Sequence, residues 1–418
     1  MPTPQLTAQD RLELLRGVLY EDPSPEGWAR LCALFDGWDL DDESLLVGVD
    51  YAQERLRGWP DALRDSPLSL GLGLSLYERS GIHGARWCFS ALREPPHPAW
   101  ALGRALDLSP LVGGLSEPEV EALAQWPHLG HLSALLLDRV FFSATPGGGD
   151  ARAVALSRSP WLRALERLSL TYNRIGPRGA SFVVGSSSLP SLVDLDLSAN
   201  RLGDMGATFI GASPLLSGLR ALGLSSNGIG DPGARALARS PHLAGVERLN
   251  LSGNLLSDLG LEALVRAPLL SNLTHLDLSR NRLTARGARL LAACPRLSGL
   301  TRLNLSDNDI GAQGVEALAG SPFLRGLSAL SLFNCLALDQ GAAALASSPY
   351  IKSLNRLDLS SNHIGRRGAS ALAASENLSL LDELDLAGNL IEEEGRRALA
   401  TSASLPSAVR LAFAISRW

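Results

Sequence analysis

The sequence predicts an α/β solenoid, a horseshoe with parallel strands on its concave face and helices on its convex face, preceded by an all-α module. Three observations carry that reading. A unit of 27 residues is written nine times without a slip in register, a pair of leucines two apart heads every copy, and the first hundred residues lack the period altogether.

The N-terminal module is assigned to residues 1–102 and holds five of the eight tryptophans. Thr7 followed by Asp10 reads as a capping box, and Ser24-Pro25 reads as a second helix start with proline at the first position. Apolar spacing in "RLELLRGVLYED", "WARLCALFDGW" and "SLLVGVDYAQERL" is helical. Three or more packed helices are expected, serving as a cap over the first apolar edge of the solenoid.

Two degenerate copies are expected over 103–160. "LDLSPLVGGLSEPEVEALAQWPHL" keeps a strand and a helix, and "LSALLLDRV" places Leu135 and Leu137 at the strand positions and Val140 where later copies have asparagine. "FFSATPGGGD" then inserts about six residues, and its "TPGGGD" is read as a loop, because no Gly-Lys-Ser/Thr follows to make a phosphate-binding turn.

The regular copies fill 161–418. Asn173, Asn200, Asn227, Asn254, Asn281, Asn308, Cys335, Asn362 and Asn389 fall at one spacing, each with leucine five and three residues earlier and glycine six residues later. Leucines two apart share one face of a short strand, so they face a core while the residues beside them face solvent. The asparagine ends the strand, and its amide can bond backbone groups of neighbouring turns to form a ladder along the stack. The glycine permits a backbone angle or a close approach. An alanine-rich helix follows and a Ser-Pro pair closes most copies, as at Ser240-Pro241. One such strand and helix cannot bury their own apolar edges, so the copies must stack. "AVRLAFAISRW", with Leu411 and Phe413 at the strand positions, is expected to add a final strand starting near Val409. Its open edge is expected to be self-covered in a monomer, the alternative being a dimer paired through 409–418.

This pattern, LxxLxLxxN/CxLxxxGxxxL, resembles the leucine-rich repeat, and the 27-residue unit with its Gly-Ala helix is similar to the ribonuclease-inhibitor-like class. The resemblance covers 103–418. The stretch "LLRGVLYEDPSPEGWARLCALFDGW" resembles the helical companion domain that precedes such repeats in some myxobacterial and planctomycete proteins, without that domain's acidic-Trp-Leu ending.

Net charge of −5 and the lack of a basic stripe argue against a nucleic-acid partner. No apolar run reaches membrane-spanning length and the first residues lack a long apolar core behind a basic flank, so the chain is expected to be neither membrane-spanning nor secreted by a classical signal. Cys32, Cys88, Cys294 and Cys335 lie far apart, which disfavours disulfides and zinc; with a single lysine, Lys352, among 38 basic residues, the composition suggests a bacterial, cytoplasmic protein. His128 and His131 have no carboxylate or cysteine cluster beside them, so no metal is assigned. No cofactor or catalytic residue is assigned either.

Function is expected on the concave face. Four residues before the asparagine the copies read Ser169, Asp196, Gly223, Asn250, Asp277, Asn304, Ser331, Asp358 and Asp385, and six before it Arg167, Asp194, Ala221, Arg248, His275, Arg302, Ala329, Arg356 and Glu383. Much of this charge can be neutralised internally. The seventh copy breaks the pattern, with Phe333 for a small hydroxyl residue, Cys335 for asparagine and Leu338 for the turn glycine. Phe333 is read as an exposed anchor. The candidate partner-binding residues are Tyr172, His275, Asp277, Arg280, Arg302, Asp307, Phe333, Asn334, Arg356 and Asp358. They imply a non-catalytic scaffold that binds another protein. The alternative, regulation of a small GTPase, rests on the use of this repeat class by the GTPase-activating protein of Ran, and no residue here carries that chemistry over. An Arg-rich segment at 151–180 and an acidic one at 382–394 predict an electrically polarised array.

Overall fold

A computed structural model describes residues 7–36, 38, 44–56, 104–109, 114–141, 147–407 and 409. The chain divides into two compact units, Met1–Leu195 and Asp196–Trp418.

The first unit opens with α1 (Ala8–Tyr20), α2 (Pro25–Asp36) and α3 (Ser44–Leu56). The capping box forms: Asp10 N donates to Thr7 Oγ1 at 3.2 Å, and Thr7 N donates to the Asp10 carboxylate at 2.9 Å. Ser24 caps α2 by accepting from Gly27 N at 3.0 Å. Leu15, Leu31, Phe35, Trp38, Leu45, Ala52 and Leu56 make the core between them. Phe35 and Trp38 stack with centroids 5.4 Å apart. Trp38 lies so close to α3 that a Cβ on Gly48 would sit 2.7 Å from its ring, which explains the glycine.

Both degenerate copies fold as repeats. The strands β1 (Ala105–Asp107), β2 (Ala134–Leu136) and β3 (Arg167–Ser169) pair in parallel with Leu106, Leu135 and Leu168 in register. Helices α4 (Glu117–Ala124), α5 (Gly148–Ser157) and α6 (Pro177–Val184) follow them. The loop expected over "TPGGGD" ends sooner than the sequence suggested. Gly147 takes a left-handed φ of 77° and Gly148, Gly149 and Asp150 are already the first turn of α5. β4 (Asp194–Asp196) contains the division between the units.

The second unit alternates α7 (Gly203–Ala212), β5 (Ala221–Gly223), α8 (Asp231–Ala238), β6 (Arg248–Asn250), α9 (Asp258–Val265), β7 (His275–Asp277), α10 (Ala285–Ala292) and β8 (Arg302–Asn304). It continues through α11 (Gly311–Ala319), β9 (Ala329–Ser331), α12 (Leu338–Ser347), β10 (Arg356–Asp358), α13 (Arg366–Ala373), β11 (Glu383–Asp385) and α14 (Glu393–Ala400). From β5 to β11 every strand is parallel to the next, so equivalent residues of successive copies stand side by side. The strand leucines of this unit are at most 7% exposed. Each such burial contributes about 1.5–3 kcal/mol, far more than the short helices gain from their own hydrogen bonds.

Three polar ladders hold the copies together. The asparagine ladder is as expected: Asn254 Nδ2 donates to Leu224 O at 2.9 Å and Leu251 O at 3.0 Å, while its Oδ1 accepts from Asn227 N and Ile229 N, both at 3.0 Å. A second ladder runs at the helix ends. Buried serines donate to the last turn of the preceding helix, as Ser186 does to Ser157 O, Ser321 to Ala292 O and Ser375 to Ala346 O, each at 2.6 Å.

The third ladder was not anticipated. Four residues after the asparagine, an aspartate in the first turn of one helix accepts from backbone amides of the next copy. Asp204 Oδ1 takes Gly230 N at 2.8 Å and Gly233 N at 2.9 Å, and Asp339 Oδ1 takes Gly365 N at 2.7 Å and Gly368 N at 2.8 Å. Asp150 and Asp231 do the same, and Asp258 accepts from Thr284 N and its hydroxyl. In each copy that follows an aspartate, this explains the glycine six residues after the asparagine. It lies inside the first helical turn, and a Cβ at Gly260 or Gly287 would fall 2.5 Å from the preceding carboxylate.

In the copies behind an aspartate the backbone takes one hand. Behind an aspartate, Gly176, Gly230, Ser257, Thr284 and Gly365 are extended, with φ between −95° and −117°. Where the preceding copy has Pro177, Ala285 or Ala312 instead, the equivalent Gly203, Gly311 and Leu338 are left-handed, at φ 55°, 66° and 56°. Their amides then donate forward to Asn227 O, Cys335 O and Asn362 O. Glu392, behind Arg366, is extended. Ser407 and Val409 carry helical backbone; the final strand expected from Leu411 and Phe413 falls on 410–418, which lie outside the described residues.

Candidate binding face

The solvent side of the second unit's sheet presents two parallel rows. The first strand residues read Ala221, Arg248, His275, Arg302, Ala329, Arg356 and Glu383 in register. The third read Gly223, Asn250, Asp277, Asn304, Ser331, Asp358 and Asp385. A third row comes from the turns that follow the strands.

The acidic row is largely satisfied from within. Asp277 Oδ1 accepts from Ser279 N at 2.9 Å and Ser279 Oγ at 2.7 Å, and its Oδ2 accepts from Asn304 Nδ2 at 3.1 Å. Asp358 accepts from Ser360 N at 3.0 Å and from Ser331 Oγ at 2.9 Å. The serine two before the asparagine thus braces its own strand's carboxylate. Phe333 has no hydroxyl to do so, and Ser331 bonds sideways instead, to Ser306 Oγ at 2.7 Å as well as to Asp358.

The turn row is a short ladder of its own. Arg280, Asp307 and Asn334 all take left-handed backbone, with φ of 53°, 56° and 52°. Asp307 accepts from Arg280 Nε at 3.2 Å and from Asn334 Nδ2 at 2.9 Å. Phe333 proves half-buried, not exposed as the sequence suggested; it lies in the turn after β9, where its carbonyl accepts from Asp307 N at 2.8 Å.

The basic row is more open. Arg302 and Arg356 are exposed, and Arg356 Nε approaches the Glu383 carboxylate at 3.5 Å, a pair of the kind that contributes little at a surface. Between Arg248 and Arg302, His275 has its imidazole held below the ordinary range by burial and then by the charges of Arg302 and Arg248. The structure therefore gathers His275, Asp277, Arg280, Arg302, Asp307, Phe333, Asn334, Arg356 and Asp358 on the strand side of one unit. Tyr172 belongs to the first unit, where it is exposed and the Arg139 guanidinium lies 4.8 Å from its ring centroid.

The charge expected at the acidic end is partly neutralised, Glu383 by Arg356, Glu394 by Arg366 at 3.2 Å and Glu393 by Arg396 at 3.7 Å. Arg167 of the Arg-rich segment likewise approaches Asp194 at 3.6 Å. His128 and His131 sit in one short turn with ring centroids 6.0 Å apart. Among the described residues no group of three or more His, Cys, Asp or Glu could hold a metal ion, and no helix is long and apolar enough to cross a membrane. Cys294 and Cys335 are buried free thiols, and burial pushes the Cys335 thiol up to about 12.

Seven segments, 162–184, 188–211, 219–238, 246–265, 270–292, 299–319 and 350–373, match a family model described as Leucine Rich repeat. They leave out 320–349, where the seventh copy carries Phe333, Cys335 and Leu338. No curated protein matches the chain. Among solved structures, an internalin from Listeria monocytogenes is similar with TM-score 0.42 and 17% identity, over 75% of this chain and 82% of its own. A plant peptide hormone receptor, solved in complex with a ligand, is similar with TM-score 0.39 and 22% identity, over 71% of this chain and 42% of its own.

Proposed function

We propose that this chain, an array of leucine-rich repeats, is a non-catalytic scaffold that binds a partner protein on the strand side of its second unit. The observation that carries the reading is where the repeat is broken. Copies that keep the pattern brace their own polar groups, whereas the seventh copy, alone among those between 299 and 373 in escaping the family match, sets Phe333 and Asn334 in the turn after β9, the strand whose first residue, Ala329, stands between Arg302 and Arg356. An aromatic group beside guanidinium groups is the composition of interface hot spots. Seven parallel strands at about 4.8 Å give a face of roughly 30 Å, enough for one side of a standard protein interface. An α-helix in every described copy from Ala105 onward supports the ribonuclease-inhibitor-like class.

The test is a photo-crosslinking amino acid placed at exposed Arg248 on the strand side or at exposed Gln313 on the helix side, in the cells that make the protein. One partner protein should crosslink from Arg248 and not from Gln313. Crosslinks from Gln313 alone, or from neither, refute the reading. With that partner in hand, Phe333→Ser should preserve folding and lower affinity by about 1–2 kcal/mol, roughly tenfold.

A further inference from the structure

Resting on that reading, we propose that β9 forms a trough for a single acidic side chain of the partner polypeptide, with Arg302 and Arg356 as its walls. The first residue of β9 is Ala329, and the register places Arg302 on one side of it and Arg356 on the other. Strands spaced at about 4.8 Å put the two arginine stems roughly 10 Å apart with only a methyl group between them. That is room for one carboxylate to accept from both guanidinium groups, the strongest kind of side-chain hydrogen bond at a surface.

The floor of the trough is small and already satisfied. Ser331, the next residue facing solvent on β9, has its hydroxyl committed to Ser306 and Asp358. It therefore asks nothing of a ligand. Two residues further on, in the turn that follows β9, half-buried Phe333 offers an apolar contact further along the partner polypeptide. Arg356 is 71% exposed on its side chain and Glu383 is 66% exposed, so a better-placed carboxylate can take Glu383's place at little cost.

The same face disfavours a polyanion. Asp277, Asp358 and Asp385 stand in the neighbouring row, on β7, β10 and β11, where a nucleic-acid or polyphosphate backbone crossing the strands would meet them. The chain's net charge of −5 adds to that repulsion. One acidic residue among neutral or basic neighbours fits; a continuous anionic track does not.

The experiment uses the full chain and a displayed library of random twelve-residue peptides. Selected peptides should be enriched in a single Asp or Glu, and replacing it by Asn or Gln should weaken binding about tenfold. Arg302→Gln and Arg356→Gln should each weaken the same peptide five- to twentyfold, and Ala329→Gln, which fills the trough and leaves both arginines, should do so too. Circular dichroism should show all three variants folded, since all three sites face solvent. No enrichment, enrichment without acids, indifference to Arg302→Gln, or equal competition by a single-stranded oligonucleotide each overturns the proposal. If the Arg248 crosslink persists while Arg302→Gln has no effect, the trough is wrong and the scaffold reading stands.

Discussion

Cys335→Asn is expected to stabilise the second unit, although it places a larger polar group in its core. In the neighbouring copy, Asn308 accepts from Leu283 N at 3.0 Å and donates to Leu278 O and Leu305 O, each at 2.9 Å. Cys335 occupies the same slot with a thiol that donates weakly to Leu305 O at 3.2 Å, and it offers no oxygen to the Ile310 amide. With its thiol pushed up to about 12 by burial, Cys335 is neutral at physiological pH, so the exchange removes no charge. The slot is asparagine-sized in the copies on either side, where Asn308 and Asn362 are at most 4% exposed. Restoring one or two amide hydrogen bonds at roughly 1 kcal/mol each gives about 1–2 kcal/mol. Hydrogen exchange of the Ile310 and Asn308 amides reads this locally and does not require two-state unfolding. Both should slow by about five- to thirtyfold. Exchange that is unchanged or faster would show that the ladder's strength does not come from the asparagine's acceptor.

Asp231→Ala removes the acceptor of Ser257 N at 2.8 Å and Gly260 N at 3.0 Å, and should cost about 1–3 kcal/mol in denaturant titration, with faster exchange at those two amides. Leu338→Gly relieves a left-handed non-glycine residue at φ 56° and should gain about 1 kcal/mol, whereas in an Ala312→Asp background, where the new carboxylate holds residue 338 extended, the same change should be destabilising. Equal effects in both backgrounds would break the link between the aspartate and the hand of the next turn. His275 is held below its ordinary 6.5 in the fold, so the unfolded chain protonates first and stability should drop as pH falls below about 6.5, an effect absent above that pH. His275→Gln should flatten the denaturant midpoint against pH in that window, and an unaltered slope would count against it.

The leucine pair, the asparagine and the caps at Thr7 and Ser24 were legible because each acts within one copy or one turn, where spacing alone fixes direction. The aspartate ladder acts across copies. Asp204, Asp231 and Asp258 recur at the repeat spacing, which is a signal, yet spacing does not tell an acceptor for the next copy's amides from a helix's own first-turn acid. Phe333 was misjudged for a related reason. Alternation assigns it to the solvent side, but the chain leaves the strand just before it, and a turn residue no longer obeys period two. The candidate face was therefore legible as a list of positions. Which of its charges are already committed, such as Asp277 and Asp307, and which stay open, such as Arg302, depends on partners 27 residues away.

The aspartate's reach into the next turn also changes what counts as a movable part. Copies look interchangeable when cut at the leucines, but each such cut separates an instruction from the residue that obeys it. Gly311 and Leu338, both left-handed, follow Ala285 and Ala312, and moving either copy behind Asp258 is expected to bring the extended form that Thr284 takes there. The heritable unit is the junction, running from one aspartate position to the residue just before the next. Duplication or deletion by that frame keeps every turn matched to its predecessor, and engineered arrays cut there should lengthen without strain.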